Sequence, residues 1–133
     1  RVAENFKLAT GTWVSVGAVR AALVDAMGGL IRDAAIVGEN EADLGALLLL
    51  SDAAARMAPD ERDALLRDRL AAAATAATGS ASRVRRALVL PEPPSFDRGE
   101  VTEKGSLNQR AMRANNARLI ARLYGDGDGV IAV

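Results

Sequence analysis

The chain begins with two short alternating segments, Phe6-Lys7-Leu8 and Trp13-Val14-Ser15-Val16, on either side of Thr10-Gly11. That pattern predicts a β-hairpin, with Gly11 free to take a positive φ at the turn. From Gly17 to Met27 the apolar residues Val19, Leu23, Val24 and Met27 recur at helical spacing, and Gly28-Gly29 closes the helix. Ala34 to Val37 reads as a short buried strand, followed by the polar turn Gly38-Glu39-Asn40-Glu41. Leu44 to Leu50 could be a strand or a buried helical turn. Strand is favoured, because two apolar runs joined by a Gly/Asn turn suit a hairpin, although leucine is a weak strand former. Pro59-Asp60 starts the longest helix, with Leu66, Leu70, Ala73 and Ala77 as its stripe and Gly79-Ser80 as its end. Arg86 to Leu90 is a further strand. Pro91, Pro93 and Pro94 then impose an extended loop. Asn108 to Tyr124 is the last helix, with Met112, Leu119, Ile120 and Leu123 on one face. Residues 125–133 are glycine-rich and expected to be flexible, with 130–133 either a last strand or a frayed end.

The elements add up to an α+β fold: an N-terminal β-hairpin followed by a small mixed sheet packed with about three helices, expected on one side of it. At 133 residues the chain fits one domain. Half of it is hydrophobic but only 3% aromatic, so the core must come from Ala, Leu, Val and Ile, and modest stability is expected. Seventeen basic and seventeen acidic side chains cancel. No global basic excess marks a nucleic-acid partner. With neither Cys nor His, the chain holds no thiol nucleophile, disulfide, Ser-His-Asp triad or Cys/His zinc site. No metal site is expected: Asp126-Gly127-Asp128-Gly129 resembles the start of a calcium loop but lacks the ligand spacing that follows. No apolar run of about eighteen residues is present, so no membrane span is expected. The lack of cysteine is compatible with the cytoplasm, the compartment expected here.

Two segments at opposite ends carry a resemblance. Arg1-Val2-Ala3-Glu4-Asn5-Phe6-Lys7, followed by Gly11-Thr12-Trp13-Val14-Ser15-Val16-Gly17, resembles the hinge and glycine hairpin of adenylate-forming (AMP-binding) enzymes. Gly99-Glu100-Val101-Thr102-Glu103-Lys104-Gly105-Ser106-Leu107-Asn108-Gln109-Arg110 resembles their C-terminal lysine loop. The wording of both motifs is most similar to feruloyl-CoA synthase-like acyl-CoA synthetases. The likeness covers the chain in order, as the C-terminal domain of such an enzyme: hinge near residues 1–5, lysine loop at 99–110, flexible tail at 125–133. The start on Arg1 is expected to be a cut from a longer protein.

The resemblance implies a two-step reaction in the full-length enzyme. A carboxylic acid, an aromatic one such as ferulate, attacks the ATP α-phosphate to give acyl-adenylate and pyrophosphate; the thiol of coenzyme A then displaces AMP. It implies ATP, Mg and coenzyme A as cofactors, none held tightly by this domain alone. It also implies a large N-terminal adenylation domain of the same chain as partner, with coenzyme A and acyl-adenylate as ligands. Lys104 is implied as the catalytic cation of the first step, and an ammonium on a flexible stem suits charge at a transferring phosphoryl group. Gly11, Thr12 and Trp13 are implied at the coenzyme A channel, and Arg1, Val2 and Ala3 at the hinge. The sequence departs from the pattern at Ala3, a position commonly Asp or Lys, at Val16-Gly17-Ala18-Val19-Arg20, where a Pro-x-Glu segment often follows the hairpin, and in the lysine loop. With Gly105 aligned on the family glycine, Ser106 stands where lysine is usual and Lys104 lies one residue before the glycine. Either the loop is shifted and Lys104 acts, or another cation does, Arg110 being the outside candidate.

Plain structural readings stand beside these. Lys104 can be a solvated loop lysine, Gly11 only a turn glycine, and Trp13 a lid on the small core, which is favoured over ligand contact. Arg83, Arg85 and Arg86 read as a solvated strand edge rather than a phosphate site. Arg110, Arg113, Arg118 and Arg122 read as the wet face of the last helix. The rival to the ligase reading is a non-catalytic, stand-alone α+β interaction module.

Overall fold

The computed structural model describes residues 2–133. A 3-10 turn, Val2–Glu4, leads into the hairpin of β1 (Phe6–Lys7) and β2 (Trp13–Val14), paired antiparallel as Phe6 with Val14 and Lys7 with Trp13. Helix α1 (Val16–Met27) follows, its first N–H held by Asn5: Val16 N donates to Asn5 Oδ1 at 3.0 Å. This satisfies one of the donors that a helix start leaves open, where the N-cap Ser15 side chain makes no such bond. Strands β3 (Ile31–Val37) and β4 (Leu44–Leu50) form an antiparallel pair. A one-turn helix α2 (Asp52–Ala55) and α3 (Pro59–Ala76) then cross over to β5 (Val84–Val89), which lies parallel to β4. After the proline loop come α4 (Gln109–Asn115), α5 (Ala117–Tyr124) and β6 (Ile131–Ala132). The sheet order is β3-β4-β5-β6, so β3 is an edge strand.

The α+β architecture is as the sequence predicts, but the helices cover both faces of the sheet rather than one. Ala34, Ile36, Leu44, Ala46 and Leu48 point into a core shared with Val19, Leu23, Leu66 and Leu70 of α1 and α3. Ala35, Val37 and Leu47 point the opposite way, against Leu107, Met112 and Leu123. The reason lies in the strands: β3 and β4 are nearly continuous apolar runs, the pattern of strands buried on both faces.

Other differences are local. Strand β3 begins three residues earlier than its apolar run suggests, because Ile31 is buried and the strand passes an irregularity between Ile31 and Asp33. The last helix is broken at Asn116, whose backbone (φ −120°, ψ 37°) leaves the helical region and whose Nδ2 donates to the Met112 carbonyl at 2.8 Å. In the segment 125–133, Ile131–Ala132 pairs with β5 as the second sheet edge, and Ile131 is buried.

Strand β5 is not an edge, since it lies between β4 and β6; of Arg83, Arg85 and Arg86 only Arg85 is exposed. Arg83 donates to the Ala74 and Ala77 carbonyls at the end of α3, and Arg85 to the Val133 carbonyl. Arg86 joins three elements. It binds Asp43 (Nε to Oδ1, 3.1 Å), the Leu123 carbonyl and Asp126, and its guanidinium lies 4.9 Å from the Tyr124 ring centroid. Among the described residues, no helix is long and apolar enough to cross a membrane.

Candidate functional site

The two motif segments form the same turn. In the hairpin, Leu8 N donates to Thr12 O and Gly11 N to Leu8 O, both at 2.9 Å, with Gly11 at φ 85°. In the lysine loop, Thr102 N donates to Ser106 O at 2.8 Å and Gly105 N to Thr102 O at 2.9 Å, with Gly105 at φ 85°. Each is a three-residue connection closed by a glycine in the left-handed region, a conformation costly for any residue with a Cβ. Hydroxyls fasten both: Thr10 to Thr12 at 2.9 Å, Thr102 to Ser106 at 2.8 Å.

Lys104 is the exposed residue immediately before the closing glycine, at the tip of its turn. Ser106 stands after the glycine and is bound into the turn, its N–H and hydroxyl both engaged by Thr102 Oγ1. The turn thus displays the Lys104 position and ties down the Ser106 position.

The base of the lysine loop is sewn to the free edge of β3. Gln109, at the start of α4, accepts from Ile36 N at 2.8 Å and donates from Nε2 to the Ala34 carbonyl at 3.0 Å. Its amide therefore pairs with the strand edge as a neighbouring strand would. Asp33, 3% exposed, accepts from Leu107 N (2.9 Å), Ala34 N (2.8 Å) and Arg20 Nε of α1 (2.5 Å). A buried carboxylate is costly unless paired and hydrogen-bonded, and Asp33 meets that condition with three donors. In return it holds the Arg20 guanidinium more firmly protonated than usual, the hydrogen bond from Arg20 being the largest cause.

A cavity of about 410 Å³ opens at this junction, lined by Ala3, Glu4, Gly17 and Arg20 on one side and by Thr102, Ser106 and residues 107–110 on the other. It brings together Ala3 from the hinge segment and Arg110, and it adds Arg20. Its charged lining is Arg110, Arg20 (already bonded to Asp33) and the Glu4 carboxylate, with the Thr102 and Ser106 hydroxyls bonded to each other. Arg1 lies outside the described residues; Val2 belongs to the 3-10 turn.

The hairpin stands apart from that cavity, bound to the β3–β4 connection by Ala9 N to Glu41 O (2.9 Å) and Asn40 N to Lys7 O (3.0 Å). A Cβ at Gly11 would meet nothing within 4 Å, so within this domain its glycine is required by φ alone. Trp13 does not lid the core: it is 60% exposed, with Lys7 Nζ 5.1 Å from its ring centroid. In a strand of burial pattern exposed–buried, Val14 takes the inward position and Trp13 the outward one. Arg113 departs from the wet face assigned to it. Its guanidinium sits 4.9 Å from the Phe6 ring, Nη1 is buried without a hydrogen bond, and burial is the main cause lowering its pKa.

Sequence reasoning missed Asp33 and Arg20. The signal for Asp33 was a carboxylate beside the apolar run 34–37, at a position taken as lying before the strand. For Arg20 no sequence signal existed.

The fold and the site define a small domain with two exposed glycine-closed turns and a polar cavity at one sheet edge. Residues 7–128 match the family described as AMP-binding enzyme C-terminal domain, and the chain belongs to that family. Its fold is similar to part of the adenylation domain of the carboxylate reductase from Mycobacterium chelonae, with a TM-score of 0.76 and 24% identity over 95% of this chain and 20% of that one. It is similar too to the A-PCP didomain of carboxylic acid reductase from Segniliparus rugosus in complex with AMP (TM-score 0.71, 19% identity, 92% of this chain, 17% of that one). The A domain of that reductase, in complex with AMP and a co-purified carboxylic acid, matches with a TM-score of 0.71 and 19% identity over 95% of this chain and 20% of that one. The chain thus spans about a fifth of the length of the solved chains it resembles. No curated protein matches it.

Proposed function

We propose that this chain is the mobile C-terminal domain of an ATP-dependent carboxylic acid–thiol ligase, working against a large N-terminal adenylation domain. Family membership supports the adenylate-forming reaction. The observation that carries the site is the anchored turn that displays Lys104 at its exposed tip; Lys104 itself does not line the cavity that Thr102 and Ser106 share with Arg20 and Arg110. In the first step the acid's carboxylate oxygen bonds the α-phosphorus of ATP and the bond to pyrophosphate breaks. Lys104, at the turn tip, stabilises the charge gathered on the phosphoryl oxygens. In the second step the thiol attacks the acyl carbon, AMP leaves, and the thiol proton is released; the Gly11–Trp13 turn faces the thiol arm. Among the described residues no three His, Cys, Asp or Glu side chains are grouped so as to hold a metal ion; ATP is proposed to act with Mg. Coenzyme A is the proposed thiol, and an aromatic acid such as ferulate the proposed substrate, on the likeness of the two motifs.

The test is Lys104→Ala in the full-length protein, assayed separately for each half-reaction. Adenylation, read as pyrophosphate exchange, is expected to fall about 100-fold or more. Thioester formation from supplied acyl-adenylate is expected to persist. Unchanged adenylation removes Lys104 and makes Arg110→Ala the next variant. If no variant at either turn alters a half-reaction, the non-catalytic interaction module is the better reading.

A further inference from the structure

We infer that Asp33 and Gln109 are positioning residues for the first half-reaction: together they fix the lysine loop to the edge of β3. This rests on the reading of the loop proposed above.

An exposed turn aims its tip only as well as its base is held. Above its base the loop has the Val101–Leu107 bridge and the Thr102–Ser106 pair, which close the turn on itself. Neither fixes it to the body of the domain. The Leu107 side chain is buried in the core and Glu100 accepts from Asn115 of α4, but the attachment to β3 comes from the Leu107 N–H on Asp33 Oδ2 and from both ends of the Gln109 amide on Ile36 N and Ala34 O. Asp33 and Gln109 are two of the three buried polar side chains among the described residues, at 3% and 4% exposure. An edge strand can be closed by many apolar coverings. Spending a buried carboxylate and a buried amide there fixes one register of loop against strand. Asp33 also takes Arg20 of α1, which lines the same cavity, so one carboxylate sets the loop and a neighbouring guanidinium together. Catalysis by a displayed cation is sensitive to such placement: a misplacement of about 1 Å can cost on the order of 100-fold in rate.

The experiment uses the full-length protein with Gln109→Met, which keeps the length and removes both bonds, and Gln109→Glu, which keeps the acceptor for Ile36 N. Both half-reactions are measured, with amide hydrogen exchange at Ile36 and Leu107. Gln109→Met is expected to lower kcat of adenylation about 10- to 100-fold with little change in KM for ATP. Thioester formation from supplied acyl-adenylate stays at wild-type rate, and exchange at Ile36 speeds up. Gln109→Glu turns a buried carboxylate oxygen on the Ala34 carbonyl and is expected to fall at least as far as Gln109→Met; Asp33→Asn, which removes the charge and keeps one acceptor, carries the test if neither Gln109 variant folds. Equal loss in both half-reactions would overturn the proposal, since a general structural defect does that. So would faster exchange at Ile36 with adenylation intact. Lys104→Ala, measured in parallel, separates the two ideas: adenylation lost there but kept in both Gln109 variants sinks the positioning role alone.

Discussion

Gly11 and Gly105 hold the same backbone angle, φ 85°, and close the same kind of turn ninety-four positions apart, 105 minus 11. One turn ends the hairpin that opens the domain; the other is stitched to the edge strand. The tip position before the glycine is Thr10 in one and Lys104 in the other, and the position after it, Thr12 or Ser106, is used in fastening. Ser106 is bonded to Thr102 through its N–H and its hydroxyl, and Lys104 lies exposed two residues earlier.

Alanine at either glycine should cost stability through backbone strain alone, since a Cβ at both sites meets nothing within 4 Å. The expected loss is about 1 kcal/mol for Gly11→Ala and the same for Gly105→Ala, read from denaturant midpoints. The two should add, because the turns share no partners. A loss well above this would mean that the turns are coupled to the core more tightly than their hydrogen bonds indicate.

Gly45 is a different case, limited by space and not by φ. A Cβ there would lie 2.6 Å from Leu123 Cδ2, 3.1 Å from Arg86 Cγ and 3.2 Å from Tyr124 Oη. Gly45→Ala should therefore destabilise by about 1–3 kcal/mol as α5 is pushed off the sheet. Gly79→Ala, in open space without a positive φ, is the control and should stay within about 0.5 kcal/mol. Thermal unfolding of the pair distinguishes crowding from a general intolerance of alanine.

Periodicity and turn chemistry were enough to read the hairpin, α1, β4 and α3 from the sequence, because each has a clear pattern and a terminator such as Gly28 or Pro59. What was illegible depends on contacts between distant segments. Nothing local says that Asn116 turns its side chain back onto Met112 and breaks the last helix, or that Arg86 leaves solvent for Asp43 and Tyr124. The site divides the same way. The turn at Gly11 is legible because a turn is local. Asp33 and Arg20 enter only once α1, β3 and the loop meet, across separations that no sequence spacing records.

Arg86 offers a test of that long-range wiring. Its side chain is 20% exposed and Asp43 32%, whereas Asp126 is 78% exposed and adds little. Arg86→Met should cost about 2 kcal/mol, because the Leu123 carbonyl and Asp43 lose a charged donor together. A double-mutant cycle with Asp43→Asn should return a coupling clearly above that of an exposed pair, which is under about 1 kcal/mol. Additive losses would count against the pairing.

Tyr124 supplies the pH-dependent prediction, and as the single tyrosine of the chain it reports without interference. Its hydroxyl donates to the Asp43 carbonyl at 2.7 Å. Burial, followed by the charges of Asp43 and Glu41, raises its pKa well above the ordinary phenol value, with Arg86 opposing. In the folded chain the proton is kept, while in the unfolded chain it is lost near pH 10, roughly the ordinary phenol value. Above that pH the unfolded state binds fewer protons, so stability contributed by the protonated phenol is intact below about pH 10 and lost as pH rises toward the folded pKa. Phenolate absorbance of the folded 133-residue chain should therefore stay low through pH 10–11 and appear together with unfolding. Tyr124→Phe should abolish that alkaline slope while costing about 1 kcal/mol at neutral pH for the lost hydrogen bond. A phenolate transition centred near pH 10, about the free value, with the fold intact would show that Tyr124 is not held as described.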